Sequence, residues 1–190
     1  MSPAFAQSPL FAGRVACRVS LVACLAATGC GYSTRSSLPS GLRTVYVKPF
    51  VNKIDITQIS TGNERFPIYR PQMEIDITKA VIERFQVTGL LRPATSEHAD
   101  SRIEGDLVAF RRDALSYSAS GNVDEWRLNI VVDLRYMDQK SGQLIWDESR
   151  FTGDTTYFTS GSRVETEETA LTRAITDLAR RIVERTVENW

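Results

Sequence analysis

The chain has 190 residues, 42% of them hydrophobic, with 23 Lys and Arg balanced by 23 Asp and Glu. Formal neutrality leaves no global basic field to gather nucleic acid or another polyanion, so any acidic ligand must be met by a local cluster. One histidine and three cysteines are a poor basis for a structural zinc centre, and no cofactor or metal site is expected.

The N-terminus carries the parts of a secretory signal: Arg14 and Arg18, the apolar run Val19 to Ala27, and the small-residue run Ala27-Thr28-Gly29 before Cys30. Small side chains suit a narrow peptidase site, and the thiol that follows can accept a diacylglycerol. The apolar run is far shorter than the roughly 20 residues that cross a bilayer as a helix. The expectation is a signal over 1–29 and lipidation at Cys30. Ala27 stands where the lipoprotein pattern usually has Leu, and the alternative is an ordinary secretory signal that leaves Cys30 a free thiol. Cys17 and Cys24 fall in the discarded part, so the exported chain must hold without a disulfide. About 160 remaining residues suffice to bury a core. Residues 31–41, Gly-Tyr-Ser-Thr-Arg-Ser-Ser-Leu-Pro-Ser-Gly, read with Cys30 as a lipidated terminus and short tether over 30–41. Extended, such a tether reaches roughly 35 Å.

Leu42 to Phe50 contains the β-favouring Val45-Tyr46-Val47, ended by Pro49. Asn52 to Arg70 has no sustained period and reads as a long loop, a candidate contact surface. After Pro71, Met73, Ile77, Ala80, Val81 and Phe85 recur at helical spacing until Gly89, and Leu90 to Pro93 allows a short extended piece. From Arg102 the period becomes two. Ile103, Gly105, Leu107 and Ala109 are expected on one face, with Val108 and Phe110 on the other. Trp126, Leu128, Ile130, Val132, Leu134 and Tyr136 alternate with polar residues, interrupted only by Val131. A loop over 116–122 and a turn over 138–142 join these strands to one around Leu144, Ile145 and Trp146, a three-strand meander. The final helix has a capping-box spacing at Ser162 and Glu165 and an apolar stripe of Leu171, Ala174, Ile175, Leu178 and Ile182. Residues 42–190 are expected to form one α+β domain, a two-layer sandwich in which two helices pack on one face of a mostly antiparallel four-stranded sheet.

Chemistry is sparse. His98 lies in a polar stretch and reads as a loop residue, and no nucleophile elbow or phosphate-cradling glycine loop appears. No catalytic residue is assigned, and the chain is expected not to be an enzyme. Trp126, Tyr136 and Trp146 fall on the apolar parity and read as core, whereas Tyr117, Tyr157 and Phe158 are candidate partner contacts. Arg111, Arg112, Lys140 and Arg163 could form one anion-binding end, because guanidinium groups pair phosphate bidentately and a helix N-terminus adds donors. The alternative is four unrelated surface charges.

The cysteine run followed by Gly31-Tyr32, the segment Leu38-Pro39-Ser40-Gly41-Leu42-Arg43-Thr44-Val45, the Tyr117 to Leu128 hairpin, Ser141-Gly142-Gln143-Leu144-Ile145-Trp146 and the Glu-rich start of the last helix together resemble the lipopolysaccharide-assembly lipoprotein family, LptE. The resemblance implies a lipid-anchored domain on the periplasmic side of the outer membrane. It would plug an outer-membrane β-barrel, assist its assembly and help deliver lipopolysaccharide to the outer leaflet, without catalysis. Cys30 is the position carried over as acylated. Arg163, Lys140, Arg111 and Arg112 are candidates for lipopolysaccharide phosphates. At the hairpin tip, Ala119-Ser120-Gly121 offers no basic residue. The alternative is a lipoprotein activator or pilot of a periplasmic complex, a peptidoglycan synthase or a secretion pore, which would call for a longer tether.

Overall fold

The computed structural model describes residues 41–55 and 70–188. The expectations for the signal, Cys30, the tether up to residue 40 and most of the 52–70 loop lie outside the described residues. Among the described residues, two helices and six strands follow in the order β1 Thr44–Val47, β2 Val51–Asn52, α1 Met73–Thr88, β3 Arg92–Pro93, β4 Ser101–Tyr117, β5 Val123–Asp138, β6 Leu144–Phe158 and α2 Glu167–Glu188.

Both helices cover one face of the sheet, as a two-layer α+β sandwich requires, but the sheet is mixed and six-stranded, not a mostly antiparallel sheet of four. Its order is β3-β1-β4-β5-β6, with β2 beside β4. Strands β4, β5 and β6 pair antiparallel, whereas β1 is parallel to both β3 and β4, and β2 is parallel to β4. The cause is α1: a helical crossover returns the chain to the same edge, so the strands on either side of it run in one direction. Two-residue strands such as β2 and β3 carry no periodicity by which a sequence could reveal them.

The core is legible element by element. Val45 and Val47 of β1 point inward, and Pro49 ends that strand so that Phe50 drops into the core. Gly105 makes room, since a Cβ there would stand 2.1 Å from the Phe50 ring. Met73, Ile77, Val81 and Phe85 form the buried stripe of α1, which Gly89 terminates in the left-handed conformation at φ 70°. Ile75, by contrast, is exposed. On β5 the expected residues Leu128, Ile130, Val132, Leu134 and Tyr136 are buried, and Trp126 is half-buried at the margin.

Two strands depart from their expected pattern. In β4 the register against β5 slips between Leu107 and Ala109, so Phe110, expected on the face opposite Ile103 and Leu107, turns inward with them and is 1% exposed. A bulge adds one residue to one strand and thereby inverts the parity beyond it. The strand expected near Leu144 to Trp146 runs on to Phe158. Its second half, Thr152-Gly153-Asp154-Thr155-Thr156, lacks apolar alternation because α2 lies directly on it: a Cβ at Gly153 would stand 2.5 Å from Leu178 Cβ.

Helix α2 starts later than the Ser162–Glu165 spacing suggests. Thr166 caps it, its Oγ1 accepting from Thr169 N at 3.2 Å, while Val164 bridges to Phe158 as an extension of the sheet. Leu171, Ala174, Ile175, Leu178 and Ile182 are buried as expected. The two helices run side by side in the same direction, with Arg70 paired to Glu168 near their starts and Arg84 Nη2 3.9 Å from Glu184 near their ends.

The closeness of α2 to the sheet is testable. Gly153→Ala is expected to lower unfolding stability by about 1–3 kcal/mol, because backbone and Cβ atoms of Leu178 must move to admit the methyl group. Urea denaturation would show the loss as a lower midpoint at unchanged slope.

Candidate interaction surfaces

The long meander gives the molecule two ends. At one, the β5–β6 turn lies beside the starts of β1 and β4; at the other stand the β4–β5 hairpin and the start of α2. Lys140 belongs to the first end and Arg112 to the second. From Ser101 to Arg112, at about 3.3 Å per residue, is roughly 35 Å. The four basic residues expected to converge on one anion therefore do not.

At the turn end, Asp100 ties three segments together. Its Oδ2 accepts from Arg43 N at 3.1 Å, Thr44 N at 3.2 Å and Thr44 Oγ1 at 2.9 Å, while Oδ1 accepts from Lys140 Nζ at 2.6 Å. The hydrogen bond from Lys140, then those from Arg43 and Thr44, hold the Asp100 carboxyl well below its ordinary value of 3.8. Lys140 remains 75% exposed, but its charge is matched. His98 is exposed beside it, with Nδ1 3.0 Å from Thr95 Oγ1.

At the hairpin end, Arg112 closes the core. Its Nη1 lies 2.6 Å from Glu167 Oε2, and its guanidinium sits 4.4 Å from the centroid of Trp126. Glu167 also accepts from the Tyr157 hydroxyl at 3.1 Å and opens α2, where the helix dipole favours a carboxylate. Tyr157, expected as a partner contact, is only 4% exposed and is a core residue. Burial first, and then the Glu167 charge, raise its hydroxyl above the ordinary value of 10.0. Its position on β6 opposite Trp126 decides this, and a strand ending near Trp146 could not reveal it. Tyr117 is exposed (57%), and Phe158 is half-buried beneath the Arg163 guanidinium, 4.1 Å from the ring centroid. Arg111 is half-buried, next to inward-facing Phe110 and opposite Asn129 of β5. The hairpin end thus retains Arg163 and Arg111 as cations with Tyr117 and Phe158 as apolar groups, while Arg112 and Lys140 hold carboxylates.

Sequence reasoning missed two further arrangements. On the face away from the helices, Glu104 lies 3.2 Å from Lys48, 3.1 Å from Arg102 and 3.3 Å from Arg135, and Asp106 lies 2.8 Å from Lys53. This cross-strand network becomes visible only with the register Glu104↔Arg135. The second guards the edge of β6. Arg173 Nη2 donates to Thr156 O at 2.8 Å, Asp154 N donates to Asp177 Oδ2 at 3.3 Å, Arg181 Nη1 donates to Thr152 O at 3.5 Å, and Glu165 N donates to Phe158 O at 3.1 Å. Four backbone groups of residues 152–158 that could help template another strand are thereby occupied by side chains and by the chain itself.

Among the described residues no group of His, Cys, Asp or Glu is placed to hold a metal, and no helix is long and apolar enough to cross a membrane. The family model for lipopolysaccharide assembly, LptE, matches residues 42–186. A comparison with curated proteins finds no match. Among solved structures, the chain is similar to the PelC dodecamer from Paraburkholderia phytofirmans (14% identity, TM-score 0.44, 77% of this chain and 89% of that one). It is similar also to a minor lipoprotein from Acinetobacter baumannii (14%, TM-score 0.48, 78% and 94%) and to rare lipoprotein B from Shewanella oneidensis (14%, TM-score 0.40, 75% and 91%).

Asp100→Asn is expected to cost about 1 kcal/mol at neutral pH, a modest figure because the group lies close to solvent. Since the folded carboxyl titrates below its ordinary value of 3.8, its contribution is fully present above that value and fades as pH falls through the folded one. Urea midpoints measured from pH 7 to pH 2 should draw closer for the two proteins once the pH falls below 3.8. Replacing Arg173 and Arg181 together by Ala is expected to promote self-association, read as a sedimentation coefficient that rises with concentration.

Proposed function

The chain belongs to the lipopolysaccharide-assembly family, LptE, and from that premise we propose that it is a lipid-anchored, non-enzymatic plug and assembly partner of an outer-membrane β-barrel that delivers lipopolysaccharide to the outer leaflet. The observation that carries the reading is the family match over 42–186, which spans every described strand and nearly all of α2. Lipidation at Cys30 would hold the domain on the periplasmic side within reach of such a barrel, after removal of the signal over 1–29. The folded part would begin at about residue 42.

The described surfaces suit that role physically. Barrel lumens are polar, and the sheet face away from the two helices carries a charged network in which Lys48, Arg102 and Arg135 surround Glu104 and Lys53 meets Asp106. Such a face can enter a wet lumen and keep its charged groups hydrated. The guarded β6 edge would keep the domain from adding itself to barrel strands. Arg163 and Arg111 are the proposed contacts for lipopolysaccharide phosphates, with Tyr117 and Phe158 facing the partner. Arg112 and Lys140 are better placed to stabilise the domain, since each meets a carboxylate at 2.6 Å.

Purification of the full-length protein from detergent-solubilised outer membranes is expected to bring down one β-barrel protein, and depletion to reduce surface lipopolysaccharide. Recovery of a peptidoglycan synthase or secretion pore in place of a barrel would overturn the reading. The mature protein should carry acyl groups on Cys30 by mass, and Cys30→Ala should release it from the membrane.

A further inference from the structure

We propose that the hairpin end of the outer sheet face is a docking surface for the barrel partner, an apolar belt set around Glu125 that receives a basic side chain of that partner; this rests on the plug reading. The register gathers the belt on one face. Tyr117 of β4 lies opposite Val123 of β5, Ser116 opposite Glu125, Glu125 opposite Phe158 of β6, and Phe158 opposite Val164. Directly opposed residues point to the same side of a sheet, and along β5 these share the parity of Asp133 and Arg135, on the face away from the helices. Tyr117 and Val164 are 57% and 56% exposed, while Val123, Glu125 and Phe158 are half-buried. Three strand spacings of about 4.8 Å make the row roughly 14 Å wide.

Charge fits the belt to a protein. Glu125 stands in its middle and makes no ion pair among the described residues. A phosphorylated lipid laid across the belt would bring anion to anion there, whereas a protein surface can set lysine or arginine among apolar side chains. Arg127, exposed two residues further along the same face, gives an acidic side chain of that surface its place. The belt is also held in shape. Thr159 N donates to Asp124 O at 2.9 Å, Thr159 Oγ1 to Val123 O at 2.6 Å and Ser160 Oγ to Asp124 Oδ1 at 2.6 Å, which fastens the loop after β6 to the start of β5. In the hairpin, Ser118 N donates to Asn122 O at 2.8 Å and Asn122 N to Ser118 Oγ at 3.1 Å. Docking then costs little ordering, and aromatic residues such as Tyr117 and Phe158 are the types enriched at the centres of interfaces. The outer face is thus divided, with a hydrated charged half around Glu104 and a contact half at the hairpin end.

The test recovers the tagged full-length protein from detergent-solubilised outer membranes as wild type and as Glu125→Arg, Val164→Asp, Tyr117→Ala and, on the exposed side of α1, Lys79→Ala. The barrel recovered per molecule of bait is expected to fall about tenfold with Glu125→Arg and Val164→Asp, severalfold with Tyr117→Ala, and not at all with Lys79→Ala, at unchanged urea midpoints. Equal recovery in all five proteins would overturn the belt and leave the plug reading standing. A wild-type sample without a barrel would overturn both. Where a variant lowers the urea midpoint, a photoreactive group on Val164→Cys replaces it: adducts with the barrel are expected from position 164 and none from Lys79→Cys. Adducts from position 164 with lipopolysaccharide alone, or with a second copy of this chain, would overturn the barrel as the occupant.

Discussion

The contact of α2 with β6 at Gly153 fixes the rest of the structure. Leu178 occupies the space where any side chain at 153 would stand, so the helix lies on the strand at backbone distance. At that separation the two elements keep step. Four helical residues advance about 6 Å and two strand residues about 6.6 Å, in opposite directions here. Arg173, Asp177 and Arg181 consequently meet Thr156, Asp154 and Thr152 in order. A larger residue at 153 would lift the helix and pull these side chains from the edge. The same position sets where α1 sits, because its buried stripe packs into the core that α2 helps to enclose.

Charge in this molecule is largely arranged for internal use. The cations first expected to form one anion site are divided between the ends of a long sheet, and Arg112 and Lys140 each serve a carboxylate that closes or ties the fold. On the outer face one carboxylate, Glu104, serves three cations, so the cations there are in excess. A domain built in this way presents a broad polar surface without a strong net field. Such a surface exerts little long-range pull on a charged ligand.

Sequence reading succeeded where burial imposes a period. The stripes of α1 and α2 and the alternation of β5 were legible because each element has one buried face and enough residues to display it. It failed where another force sets the residue. Strand β6 is polar beyond Trp146 because it is an edge and because α2 leaves no room at Gly153. The bulge after Leu107 moved Phe110 inward without altering composition. The start of α2 is set by Thr166, with Thr169 in place of the glutamate that a capping box would use. The same limits governed the candidate surface. Exposed Tyr117 was legible from its place near a loop, whereas buried Tyr157 depended on a strand whose length was hidden. Neither the separation of Lys140 from Arg112 nor the edge guard could be read without register.

Strand β1 lies between β3 and β4, parallel to both, and the chain enters it at the end level with the β5–β6 turn. A pull transmitted along the chain from that end runs along the strand axis. Its hydrogen bonds to two neighbours are then loaded together in shear and do not open one after another like a zip. Asp100 adds a clamp at the point of entry, gripping the backbone of Arg43 and Thr44 before the load reaches the ladder. The start of β1 is thus built to bear a pull along the chain.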